Sequence, residues 1–148
     1  MLNPLRGLRQ LARRTLRRRG RPAPRLPAGD TDELLTLARQ SFVRVQAAWD
    51  RADLRALSDL AIQPLFEDLR DQLALRGPGP NCTEVVRLDA RLLSLEELRE
   101  AYVASVEFSG LIREHEDRAA APFRELWLLA NIKAAGCGWK LARVQSLS

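Results

Sequence analysis

Residues 86–92 read VRLDARL. Val86, Leu88, Ala90 and Leu92 alternate with Arg87, Asp89 and Arg91. Alternation with period two marks a β-strand that buries one face and wets the other. Upstream of this stretch the apolar residues recur at helical spacing. Downstream they alternate, with one exception. The expected fold is therefore α+β, with N-terminal helices packed against one face of a four-stranded antiparallel sheet.

Three helices are expected upstream. Asp30 followed by Glu33 is a capping-box pattern, and Leu35, Ala38, Phe42, Val45 and Trp49 form one apolar face to about Asp50. Asp53 is placed to cap a short helix carrying Leu54, Leu57 and Leu60. Gln63-Pro64 opens a third helix, with Leu65, Phe66, Leu69 and Leu73 inward and Gly77-Pro78 as its stop.

Downstream, SLEELRE (94–100) is the exception and reads ambiguously, since its residues favour helix and could form a turn of it. Tyr102, Ala104, Val106 and Phe108 alternate with Ser105, Glu107 and Ser109 along a second strand, and Gly110 predicts a bulge or bend there. Residues Leu126 to Ala130 are apolar on both faces, which predicts a central third strand covered on both sides. WKLARVQ closes the sheet after the AAGCG turn.

At 148 residues the chain fits one domain, and its 46% hydrophobic content is enough to build a core. The net charge of +5 conceals a division. Residues 1–29 hold nine arginines and no Asp, Glu or Lys, so the remainder is net acidic. GRPAPRLPAG (20–29) reads as a Pro-rich linker, giving a tail and linker over 1–29 and a folded domain over 30–148. Cys82 and Cys137 form no CxxC pair and His115 is the single histidine, so no metal site and no cofactor are expected. Both cysteines are expected as reduced thiols. No run of 18 apolar residues is present, and the N-terminus lacks the apolar region of a secretory signal.

The order of features in the body resembles a known family. AWDRADLRAL, QPLFEDLRDQL, VEFSGLIRE, FRELWLL and GWKLARVQ follow one another in an order that resembles that of the C-terminal domain of the mitochondrial inner-membrane translocase subunit 44 and its bacterial relatives (Tim44-like domain). The resemblance covers residues 31–146. It implies a curved antiparallel sheet under helices, the nuclear-transport-factor-2-like cone, with an apolar pocket. It also implies a peripheral membrane protein that engages anionic lipid and a protein partner. The implied location is the cytoplasmic face of a bacterial inner membrane or the matrix side of the mitochondrial one. A cousin in the mitochondrial ribosome implies a ribosome- or RNA-associated adaptor as the alternative. The long N-terminal region with which that family tethers a chaperone is replaced here by 29 residues.

Two sets of candidate binding residues follow. On a helical wheel of the tail, Leu5, Leu8 and Leu11 share one half with Leu2, Ala12 and Leu16. Arg6, Arg13, Arg14, Arg17 and Arg18 occupy the other; Arg9 stands at the border and Arg19 interrupts the apolar side. A basic amphipathic helix of this kind suits an anionic membrane interface. A solvated tail, a targeting segment and a phosphate-backbone contact are the competing readings, and the absence of aromatics disfavours RNA. Were a transmembrane segment to precede residue 1, the arginines would be its cytoplasmic flank. The second set is Phe108, Trp127, Leu129, Trp139 and Leu141, which either fill the core beneath the helices or line an apolar pocket. The surplus apolar face of the third strand calls for a pocket, a lipid chain or a second copy of the chain.

Catalytic residues are not expected. Asp89 and Glu107 alternate with the apolar face, and His115 falls in a charged loop. Tyr102 lies on the apolar side and needs a partner for its hydroxyl. No phosphate loop or nucleophile elbow is present. A pocket enzyme of the isomerase or dehydratase type, which the implied fold also hosts, is the remaining alternative.

Overall fold

The computed structural model describes residues 28–76, 82–114 and 119–147. Three helices lead: α1 (Ala28–Asp50), α2 (Leu54–Leu60) and α3 (Gln63–Arg76). Four strands follow: β1 (Glu84–Glu97), β2 (Ala101–Arg113), β3 (Ala121–Ile132) and β4 (Trp139–Ser146). They form an antiparallel meander in the order β1-β2-β3-β4. This is the α+β architecture expected from the sequence, three helices followed by a four-stranded antiparallel sheet.

Helix α1 begins at Ala28, two residues before Asp30. Its buried stripe runs Leu34, Ala38, Phe42, Val45 and Trp49, with Leu35 half-buried beside it. A left-handed residue, Ala52 (φ 54°), ends the helix. The Asp53 amide donates to Ala48 O at 2.9 Å and the Ala52 amide to Trp49 O at 3.1 Å. That pair of bonds is the Schellman pattern, which normally places glycine at the left-handed position. Asp53 caps α2 as expected, accepting from the Ala56 amide at 3.1 Å. Leu65, Leu69 and Leu73 are the buried residues of α3.

In β1 the structure resolves one ambiguous stretch and corrects one expectation. SLEE is strand, not helix: Ser94, Leu95, Glu96 and Glu97 pair with Ser105, Ala104, Val103 and Tyr102. The helix propensity of these residues yields to cross-strand pairing and to burial of Leu95. Val86 is 45% exposed, not core. A bulge between Val85 and Arg87 resets the alternation, so Val85 takes the inward position and Leu88, Ala90 and Leu92 keep theirs.

Further bulges lie at Leu92/Ser94 and between β3 and β4 at Leu128/Leu129. Bulges add twist and bend, and these curve the sheet around the helices. Gly110 (φ 153°) packs against β1 so closely that a Cβ there would stand 1.9 Å from Arg87 O. The outer edge of β4 is engaged by the α2–α3 junction, where Ala61 pairs with Leu141 and the Ile62 amide donates to Leu141 O at 2.9 Å.

Two substitutions test these backbone features in urea denaturation. Gly110→Ala should lower stability by about 2–3 kcal/mol, because the obstruction is backbone and cannot swing aside. Ala52→Gly should raise it by about 0.5–1 kcal/mol, by relieving the left-handed strain.

Candidate functional site

The second candidate set converges on one face of the sheet. Phe108, Trp127, Leu129 and Leu141 are each at most 1% exposed and belong to the helix–sheet core. Trp139 is half-buried beside them. Phe42 of α1 reaches into the set. Its ring centroid lies 4.8 Å from Phe108, 4.8 Å from Trp127 and 5.6 Å from Phe123, and Phe108 meets Trp127 edge-on at 5.2 Å. The tail set, Arg6, Arg9, Arg13, Arg14, Arg17, Arg18 and Arg19 with Leu5, Leu8 and Leu11, lies outside the described residues, as does His115.

The interior also holds polar groups that the sequence reading missed. Glu125 is fully enclosed, opposite Phe108 and between Phe123 and Trp127 on the inward face. The available signal was its position, two residues before Trp127 in a period-two strand. Gln46 is 3% exposed on α1, where helical spacing puts it between Phe42 and Trp49. Among the described residues, the indole N–H groups of Trp49 and Trp127 and the amide oxygen of Gln46 have no hydrogen-bond partner. Buried groups of this kind are ordinarily satisfied by ordered water or by polar atoms of a ligand.

A second polar cluster joins three elements at the end of α1. Asp50 accepts from the Thr83 amide at 2.9 Å, from the Thr83 hydroxyl at 3.1 Å and from Gln46 at 3.4 Å. Arg76 donates to Trp49 O at 2.7 Å and lies over the Trp49 ring. The ends of α1 and α3 are thereby tied to each other and to the approach to β1. Burial pushes the Asp50 carboxyl above its ordinary value, against the opposing effect of the Thr83 and Gln46 bonds and the Arg76 charge.

The acid–base candidates do not meet. Asp89 and Tyr102 lie on opposite faces of the sheet by register. Asp89 pairs with Arg87 at 2.8 Å, while Tyr102 is 36% exposed beneath the Lys133 ammonium. Glu107 points away from the helices and binds two arginines, Arg124 at 3.1 Å and Arg91 at 3.3 Å. The Arg124 hydrogen bond holds its carboxyl below the usual value, partial desolvation opposes this, and the charges of both arginines reinforce it. Among the described residues no cluster of three potential metal ligands occurs, and no helix is long and apolar enough to cross a membrane. Cys82 and Cys137 are free and exposed.

No protein-family model matches the chain, and no curated protein matches it in sequence. A solved ketosteroid isomerase-like protein from Erwinia carotovora atroseptica is similar at 14% identity and a TM-score of 0.39, over 79% of this chain and 98% of that one. A likeness of that strength carries no chemistry across, so the chemistry of this chain rests on its own residues.

The two shifted carboxyls oppose each other in acid. Glu107, with its lowered pKa, contributes stability above the ordinary carboxylate range, and that contribution is lost as pH falls. Asp50, with its raised pKa, contributes stability when protonated, and that contribution declines as pH rises through its folded-state value. In urea melts stepped between about pH 3 and pH 6, Glu107→Gln should flatten the gain of stability with pH and Asp50→Asn should steepen it. An unchanged slope in Glu107→Gln would show that the two arginines do not act on this carboxylate.

Proposed function

We propose that this protein is a non-catalytic adaptor whose arginine-rich N-terminal stretch engages anionic lipid, holding the folded domain at a membrane surface for a protein partner. One observation carries the reading: residues 1–29 hold nine arginines and not one acid, while the rest of the chain is net acidic. Each arginine close to an anionic bilayer contributes about 1 kcal/mol, and Leu5, Leu8 and Leu11 supply an apolar side for the acyl boundary. The Pro-rich stretch before α1 separates this segment from the domain. The resemblance of the body to the translocase-subunit domain supports an adaptor over an enzyme. So does the separation of Asp89 from Tyr102 on opposite sheet faces. The cytoplasmic face of a bacterial inner membrane, or its mitochondrial counterpart, is the compartment this reading implies.

Cosedimentation with vesicles tests it. The full chain should bind vesicles containing anionic lipid, ignore purely zwitterionic ones, and lose affinity as salt is raised. Changing Arg13, Arg14, Arg17 and Arg18 together to Glu should weaken binding by about a hundredfold or more. Replacing Leu5, Leu8 and Leu11 by Ser should weaken it while leaving the charge intact. Equal binding to neutral vesicles, or full retention by the four-Glu variant, would refute the tail as the anchor. Salt-sensitive binding to RNA that is indifferent to the leucines would turn the reading to the ribosome.

A further inference from the structure

We infer that the outward face of α3 docks the protein's own arginine-rich segment, residues 8–21, and so withholds it from anionic lipid until lipid is present. The inference rests on the lipid-engaging role proposed for that segment. Helix α3 turns Leu65, Leu69 and Leu73 inward. Its opposite side carries Pro64, Glu67, Asp68, Asp71, Ala74 and Leu75, all exposed, at the three- and four-residue steps that share one helix face. Three of the six are acids. Arg70, at the border of the stripe, lies 3.6 Å from Asp71. Glu67 and Asp68 have no ion-pair partner among the described residues. Leu75 is 78% exposed, the most of any large apolar side chain among them.

Other acids do not make such a face. Glu84, Asp89, Glu97 and Glu107 are each paired with a base. Asp32, Glu33, Asp59, Glu96, Glu100 and Glu114 are not, but no three of them stand on one helix face. Charge and spacing name the occupant. Residues 8–21 hold seven arginines and no acid. Arg13 and Arg17 are four apart, as Glu67 and Asp71 are, and Arg14 and Arg18 repeat the step. Leu8, Leu11 and Leu16 supply apolar surface for Leu75 and Ala74. The six residues 22–27 join the segment to Ala28, a reach of about 20 Å. With the length of the segment added, this spans the roughly 35 Å width of a domain of this size. The tether keeps segment and face at an effective concentration on the order of millimolar, so a few exposed ion pairs populate the contact. Those pairs are weak singly and screened by salt. A bilayer offers an anion to every arginine, where α3 offers three carboxylates, so anionic lipid displaces the contact.

Paramagnetic relaxation in the full chain tests this. A nitroxide is attached through Gln10→Cys, with Cys82→Ser and Cys137→Ser. At low salt the amide signals of residues 67–75 should broaden more than any others in the domain. About 0.5 M salt should restore them, and so should vesicles containing anionic lipid. Glu67→Gln, Asp68→Asn and Asp71→Asn together should abolish the broadening and tighten binding to anionic vesicles by about tenfold. Glu33→Gln, Glu96→Gln and Glu100→Gln make the same change of net charge and should leave the broadening in place. Broadening spread evenly over the domain overturns the inference, as does a pattern that the α3 triple variant leaves unaltered. Equal broadening of an isotope-labelled copy by a nitroxide on a different copy also overturns it, by placing the contact between molecules. A chain that shows the α3 broadening yet binds no vesicle in any variant would refute the membrane reading and support the docked segment.

Discussion

The fold depends on one contact, the insertion of the Phe42 ring from α1 among Phe108, Phe123 and Trp127. All three ring centroids lie within 5.6 Å of it. This contact joins α1 to the two central strands through aromatic surface. Buried rings contribute both large apolar area and a preferred geometry. Once Phe42 is seated, the helical stripe from Leu34 to Trp49 has to lie along the sheet. The side of each strand that faces inward is then decided for every residue in register with Phe108 and Trp127.

The sheet accommodates this helix by bending, and the bend has identifiable causes. Three register shifts and the close approach of Gly110 to Arg87 lie along its length. The edges are handled differently. The α2–α3 junction pairs with β4 through Ala61 and Ile62, while β1 carries charges and bulges along its exposed edge. Both devices hinder unplanned strand addition. At the end of α1, Asp50 and Arg76 bind Thr83 and Trp49, which fixes where the third helix ends and the sheet begins.

The functional reading follows from how the chain distributes charge and apolar surface. The interior is occupied by aromatic and aliphatic side chains, with Glu125, Gln46 and two indole N–H groups as its polar exceptions. The acids and bases on the outer face are mostly engaged with each other, as Glu107 is with Arg91 and Arg124. Surface pairs of this kind add little stability. Catalysis requires titratable groups brought together at one place. This fold separates Asp89 from Tyr102 by a sheet.

The sequence by itself determined the class of fold, the order of its elements, most of its core and the concentration of arginine in the tail. Period and composition are local properties, and both survive without knowledge of any partner strand. The structure alone decided three other matters. SLEE became strand because Ala104 and Val103 were there to pair with it, and pairing outweighs a small helix preference. Val86 turned outward because a single extra residue at a bulge inverts the alternation from that point. Glu125 became a core residue because its neighbours in space, Phe108 among them, come from a strand far away in the chain. A carboxylate gives no local sign of such enclosure.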